Sequence, residues 1–94
     1  MLTPLLNPEI RKLKATAQRL KAGLKIGKAG LTPQFLQTVD QELRHHELIK
    51  IKFDDHKDEK KELAPVLAEK TSSHLIMRVG NVVVLYRKKP APAV

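Results

Sequence analysis

The chain has 94 residues, of which 41% are hydrophobic and 30% charged, and its formal net charge is +8. This length suits one compact domain, and the composition is typical of folded rather than disordered proteins. The absence of cysteine excludes disulfides, thiolate nucleophiles and cysteine zinc sites, and no apolar run approaches the roughly 20 residues that span a bilayer.

The basic residues are concentrated at the two ends of the chain. Residues 1–30 contain seven Lys or Arg and one Glu, whereas residues 31–86 contain eight basic and nine acidic residues. Arg87, Lys88 and Lys89 add three further positive charges. A surface that served only solubility would not concentrate charge in this way, so the pattern indicates a directed binding face for a polyanion.

The first predicted element is a helix that begins at Asn7-Pro8, a favourable cap and first position, and ends at Gly23. Its apolar residues recur at helical spacing and predict the buried stripe: Ile10, Leu13, Ala17 and Leu20. Its basic residues lie opposite this stripe or flank it, and we predict that they contact phosphates: Arg11, Lys12, Lys14, Arg19 and Lys21. The alternative is an ordinary solvated helix face.

A short strand, Leu24–Ile26, leads into the tetrapeptide Gly27-Lys28-Ala29-Gly30, which we call the GxxG loop. Its two glycines let a ligand approach the backbone closely. Thr32-Pro33 starts a second helix, whose unpaired amides and positive dipole end face the loop. The four loop residues, which include Lys28, predict a phosphate site together with the neighbouring Lys25. The alternative is a plain turn between a strand and a helix.

The second helix is predicted from Pro33 to His45, and the second strand from Leu48 to Phe53. Apolar and polar residues alternate along this strand, which places Lys50 and Lys52 together on one face. Both lysines are candidate phosphate contacts, although alternating lysines are also ordinary on an open sheet face.

The third helix carries the apolar residues Leu63, Val66 and Leu67, and Pro65 predicts either a late start near Glu62 or a kink. Two strands follow, at residues 74–79 and 82–87, and the pair Gly80-Asn81 predicts a tight hairpin between them. Arg87 and Lys88 could extend the RNA contact or only solubilise the end of the chain.

These elements predict an α/β fold: a small mixed four-stranded sheet with three helices in the order α-β-α-β-α-β-β. Parallel crossovers place the second and third helices on one face of the sheet, and the last strand is antiparallel. The sequence does not predict where the first helix packs. We expect one domain over residues 1–89 and a flexible tail over 90–94.

Three segments resemble the CRM domain family, named for chloroplast RNA splicing and ribosome maturation. They are the glycine loop at residues 25–32, the stretch His45-His46-Glu47-Leu48-Ile49-Lys50-Ile51-Lys52, and the terminal hairpin at residues 79–87. The resemblance implies a fold similar to the C-terminal domain of bacterial initiation factor three. It also implies RNA binding through the glycine loop and the basic surface, and association with precursors of the large ribosomal subunit.

The sequence therefore favours a non-enzymatic RNA-binding protein that contacts structured ribosomal RNA, works as a monomer and needs no cofactor or metal. With one Tyr and no Trp, recognition should depend on RNA backbone and shape rather than on base stacking. The lack of cysteine and of a signal peptide at Met1-Leu2-Thr3-Pro4 predicts a cytoplasmic location. The alternatives are a module that docks on an acidic protein, a duplex DNA binder and a phosphoesterase that uses His45 and His46.

Overall fold

The structure is a computed structural model that describes residues 4–88 and contains three α-helices, one 3₁₀ helix and four strands over that range. The elements are α1 (Asn7–Ala17), β1 (Leu24–Ile26), α2 (Pro33–His46), β2 (Leu48–Phe53), a 3₁₀ helix (Lys57–Glu59), α3 (Lys60–Lys70), β3 (His74–Val79) and β4 (Val82–Tyr86). The predicted order of elements is confirmed. The predicted tail, residues 90–94, lies outside the described residues.

The four strands form one mixed sheet in the order β1-β2-β4-β3. β1 pairs with β2 in parallel, and β4 lies antiparallel between β2 and β3. The sheet therefore confirms the predicted mixture of directions, and the last strand of the chain fills a central position. Because β1, β2 and β3 all run the same way, the segments that follow them meet at one edge of the sheet.

The sheet has a core on each face. The larger core joins α2 and α3 to the sheet through residues that include Val39, Leu67 and Phe53. The smaller core joins Ala17 of α1 to Leu48, Ile76 and Val84 on the opposite face. This confirms that α2 and α3 share a face, and it places α1 alone on the other, which we call the α1 face.

The predicted end of the first helix at Gly23 is wrong, because α1 ends at Ala17. The ammonium group of Lys50 donates hydrogen bonds to the carbonyls of Ala17 and Leu20, both at 3.1 Å, and so satisfies acceptors at the helix end. The Gly23 amide then donates to the Lys50 carbonyl. Contacts with β2 therefore draw residues 18–23 along the sheet instead of into further helical turns.

The third helix begins at Lys60, directly after the 3₁₀ helix, and contains Pro65 in its interior. Pro65 lacks the amide that would bond to the carbonyl of Lys61, and both residues are exposed, so water can reach that carbonyl. Of the apolar residues of this helix, Val66 is 37% exposed, whereas Ala64 and Leu67 are fully buried. Within residues 4–88, no helix is long and apolar enough to cross a membrane.

Candidate nucleic-acid interface

The GxxG loop leaves the sheet at the end of β1 and makes a tight turn. The Gly30 amide donates to the Gly27 carbonyl at 3.0 Å, which closes a four-residue turn. Gly27, Lys28 and Ala29 are exposed. Across residues 4–88, the amides of Lys28 and Ala29 have no hydrogen-bond partner. The loop therefore presents two free backbone donors and the Lys28 ammonium group to solvent.

The two glycines of this loop differ in their backbone and surroundings. Gly30 has a φ of 71°, in the left-handed region that side chains disfavour, and a Cβ there would lie 3.5 Å from Nε2 of His56. Gly27 has no positive φ, and a Cβ added there meets no atom within 4 Å. Gly30 is thus required by the turn, whereas Gly27 leaves open space beside the free amides.

The start of α2 contributes less to this site than the sequence predicts. The Thr32 hydroxyl accepts a hydrogen bond from the Phe35 amide at 3.0 Å, which confirms Thr32 as the N-cap. Pro33 has no amide to offer. Because the cap takes the Phe35 amide and Pro33 has none, Gln34 is left with a free amide, among the described residues, in the first turn of α2, next to the two free amides of the GxxG loop.

Two lysines lie beside the loop on the α1 face of the sheet. Lys25 of β1 pairs in register with Lys52 of β2, and both are exposed. Lys52 pairs with Val82, which pairs with Val79, so the four residues form a row across all four strands. Lys25 is three residues from Lys28, about 10 Å along an extended chain. The row therefore places two cations immediately next to the GxxG loop.

Helix α1 crosses the other end of this face, so its basic residues are spread out. Near its start, Ile10 lines a small depression with His74 and Leu75 of β3, and its end contacts Lys50 of β2. Arg11 and Lys12 are therefore nearer to β3. Arg19 and Lys21 follow the helix end beside β2. All the predicted cations of this segment are exposed: Arg11, Lys12, Lys14, Arg19 and Lys21.

Lys50 and Arg87, two of the predicted contacts, are engaged within the fold. Lys50 closes the end of α1, as described above. The Arg87 guanidinium donates to the Asp40 carboxylate at 2.8 Å and to the Thr71 carbonyl at 2.7 Å, and its side chain is 19% exposed. Lys88 is exposed. Arg87 and Lys88 follow β4, whose end lies at the sheet edge opposite the GxxG loop.

The segment of residues 54–59, which we call the acidic loop, contacts the GxxG loop. The amides of Asp54 and Asp55 both donate to the Ile26 carbonyl at 3.0 Å. Nε2 of His56 lies 2.7 Å from the Lys28 carbonyl oxygen, and Nδ1 lies 3.2 Å from Oε1 of Glu59. The hydrogen bonds to Lys28 and Glu59 raise the pKa of His56 above its ordinary value of 6.5.

Sequence reasoning missed this contact between the two loops. Local spacing gives no indication that His56 reaches the GxxG loop. The signal that could have found it is topological, because a parallel β1–β2 pair brings the segments after both strands to one sheet edge. The contact joins residues 28 apart in the sequence.

The histidines at the end of α2 are exposed and lie apart from this edge. The ring centroids of His45 and His46 are 6.3 Å apart, and Nε2 of His46 is 3.7 Å from Oε2 of Glu42. The side chain of His46 is 64% exposed. Among residues 4–88, no group of three or more His, Asp or Glu side chains could hold a metal ion.

Comparison with known proteins agrees with this architecture. The CRS1/YhbY (CRM) domain model matches residues 5–87. An RNA-binding protein of Haemophilus influenzae is 32% identical over 87 residues, which are 92% of this chain and 88% of that protein. A probable RNA-binding protein of Pseudomonas aeruginosa is 31% identical over 83 residues, which are 87% of this chain and 80% of that protein.

Two further relatives extend the comparison to a plant protein and to a solved structure. A CRM-domain containing chloroplastic factor of Arabidopsis thaliana is 36% identical over 80 residues, which are 84% of this chain but 8% of that protein. The solution structure of a hypothetical Staphylococcus aureus protein superimposes with a TM-score of 0.78 at 32% identity, covering 96% of this chain and 95% of the other. The chain belongs to the CRS1/YhbY (CRM) domain family.

Proposed function

We propose that this protein binds structured RNA by holding phosphate groups between the GxxG loop and the row of cations on the α1 face. The observation that carries the proposal is the pair of free amides at Lys28 and Ala29, exposed beside the ammonium groups of Lys25 and Lys52. Backbone donors and lysines at this spacing suit consecutive phosphates of one strand. The two relatives named as RNA-binding proteins support the choice of polyanion.

The acidic loop limits the direction in which RNA can approach. Asp54, Asp58 and Glu59 are exposed in the acidic loop, which contacts the GxxG loop through His56. Their carboxylates repel phosphate, while the lysine row attracts it. The proposed footprint therefore runs from the GxxG loop over Lys25 and Lys52 towards Arg19 and Lys21, and it excludes Lys50 and Arg87.

The ligand that we propose is ribosomal RNA of the large subunit, met during assembly in the cytoplasm by a single copy of the chain. The protein would bind this RNA without turning it over. The family resemblance at residues 25–32 and 45–52 supports the ribosomal assignment. Crosslinking in cell extract, followed by sequencing of the attached RNA, should enrich large-subunit precursors. Recovery of unrelated messenger RNA instead would contradict the assignment.

The interface itself is tested by the salt dependence of binding. The variants Lys25→Ala, Lys28→Ala and Lys52→Ala should each lower the slope of log K against log salt by about 0.7–0.9, because each removes one phosphate contact. The matched control is Lys70→Ala, which removes the same charge from an exposed position on α3, on the opposite face. Equal slopes for all four variants would show that only net charge matters.

Competition distinguishes the alternatives to RNA binding. Ribosomal RNA fragments and duplex DNA of equal length are compared at fixed salt, because affinities for polyanions are comparable only at one salt concentration. Displacement by RNA at lower concentration is expected. Preferential displacement by duplex DNA would show that DNA, not RNA, is the ligand. Saturable binding to an acidic protein, together with weak RNA binding, would show that the protein is a protein-interaction module.

A further inference from the structure

The imidazole of His56 bridges the GxxG loop and the acidic loop. Nε2 approaches the Lys28 carbonyl to 2.7 Å, and Nδ1 approaches the Glu59 carboxylate to 3.2 Å. The ring also lies over Gly30, because a Cβ there would meet Nε2 at 3.5 Å. One side chain thus contacts both the turn that bears the free amides and the residue that closes it.

The backbone of His56 fixes the direction of this side chain. His56 has φ 55° and ψ 32°, a left-handed conformation that costs free energy at any residue other than glycine. Its amide donates to the Asp55 carboxylate at 2.7 Å. The side chain is 28% exposed, so the ring is partly covered by the two loops that it joins.

Both partners of the ring are acceptors, and this determines the charge state that satisfies them. A carbonyl oxygen and a carboxylate oxygen each need a donor, and neutral imidazole has only one N–H, whereas imidazolium has two. Asp55 and Glu59 also stabilise the cation through their charges. Asp54, Lys57 and Asp58 line the same depression, and Lys28 of the facing loop carries a further positive charge.

We propose that His56 is a positioning residue that holds the GxxG loop in its phosphate-binding conformation, and that it holds the loop most firmly when protonated. The inference rests on the proposed function for its consequence in RNA binding. His56 acts through the Lys28 carbonyl, which orients the peptide group that ends in the Ala29 amide. A loosened turn would scatter the two free amides that a phosphate must meet together.

The sign of the pH dependence follows from the raised pKa of His56. A raised value means that the folded state favours the protonated ring, so the contribution is fully present below the ordinary value of 6.5. It is lost as the pH rises through the raised value. The loop should therefore be most ordered under mildly acidic conditions and less ordered under mildly alkaline ones.

Two neutral substitutions separate the contact from the charge. His56→Gln places an amide donor near the position of Nε2 and can keep the bond to Lys28 without titrating. His56→Asn is one methylene shorter, so it can donate near the position of Nδ1 but does not reach Lys28, and asparagine tolerates left-handed backbone well. Both variants remove the same charge and retain His45, His46 and His74, so these residues are common to all three proteins.

The measurements are the amide exchange rates of Lys28, Ala29 and Gly30 by NMR, and the RNA affinity at about pH 6 and about pH 8.5, on either side of the histidine range. From about pH 6 to about pH 8.5, the RNA affinity of the wild type should fall by a factor about two to ten times larger than that of His56→Gln. A factor of this size corresponds to the loss of one solvent-accessible hydrogen bond. At about pH 8.5, His56→Asn should exchange its loop amides faster than His56→Gln and bind RNA less tightly.

Identical loop exchange and identical affinity in the two variants would overturn the proposal, as would a wild-type His56 that titrates without moving the Lys28–Gly30 amides. Thermal unfolding of both variants checks that each is folded. If the wild type bound no RNA, the proposed function would be wrong. The exchange rates would still show whether His56 holds the loop. If RNA bound tightly and its affinity changed with pH equally in the wild type and in His56→Gln, only the positioning role of His56 would be wrong.

Discussion

At the scale of single residues, the two glycines of the GxxG loop have different tasks. Gly30 adopts a left-handed backbone that forms the turn, so a side chain there would strain the fold whatever its chemistry. Gly27 has ordinary backbone angles and open space around it. Only Gly27 therefore allows the phosphate site to be changed without disturbing the turn.

We predict that Gly27→Asp binds RNA about tenfold more weakly than Gly27→Asn, because a carboxylate beside the free amides repels phosphate. The two side chains have the same shape, so the asparagine variant is the control for bulk. The difference should shrink as salt is added, since the aspartate is exposed. Fluorescence anisotropy with a labelled ribosomal RNA fragment measures it, and equal affinities of the two folded variants would contradict the phosphate site.

At the scale of elements, β2 has two lysines on the same face with separate roles. Lys50 donates to the carbonyls at the end of α1 and so fixes that helix against the sheet. Lys52, two residues further, is exposed next to Lys25. The alternation that places both lysines on one face does not separate these roles. Helix α1 separates them, because it contacts Lys50 and leaves Lys52 exposed.

The pair Lys50→Met and Lys52→Met should show opposite effects. Lys50→Met should lower the free energy of unfolding by about 1–2 kcal/mol, because the last carbonyls of α1 lose a charged donor. It should leave the salt slope of RNA binding unchanged. Lys52→Met should leave stability within about 0.5 kcal/mol and lower the salt slope by about 0.7–0.9. Urea unfolding measures stability, and salt titrations measure the slope. If Lys52→Met lowered stability and Lys50→Met lowered the slope, the roles assigned to the two lysines would be wrong.

At the scale of the whole molecule, Arg87 connects three elements at the sheet edge opposite the proposed interface. Its guanidinium reaches the carboxylate and the carbonyl of Asp40 in α2 and the carbonyl of Thr71 at the end of α3. Its own amide donates to the Glu47 carbonyl at 2.8 Å. The fold thus uses one terminal cation to tie the end of β4 to both helices of the larger core.

We predict that Arg87→Ala lowers the free energy of unfolding by about 2–3 kcal/mol, since Oδ1 of Asp40 and the Thr71 carbonyl lose their charged donor, while Arg44 still pairs with Oδ2 of Asp40. The melting temperature should fall by about 4–8 °C per kcal/mol. Arg87→Lys is the control: it keeps the charge but not the planar set of donors, so it should restore little of the loss. Full recovery with lysine, or a lowered salt slope in either variant, would instead assign Arg87 to the RNA contact.

The sequence determined those features that depend on neighbours along the chain. The Thr32 cap, the two-residue hairpin at Gly80-Asn81 and the alternation of β2 are local, and the structure confirms each. The order of the elements and the shared face of α2 and α3 follow from short connections and parallel crossovers. The exposed GxxG loop also belongs here, because glycine spacing and a following cap are visible in the sequence.

Only the tertiary structure decided what each cation does and what fixes the loop. The end of α1 at Ala17 depends on Lys50, 33 residues away, and the Arg87 contact with Asp40 spans 47 residues. The pairing of β4 with β2, unlike its hairpin with β3, is not visible in any local pattern. Contacts between distant segments depend on which surfaces bury the most apolar area together, a property of the whole chain that no short window encodes.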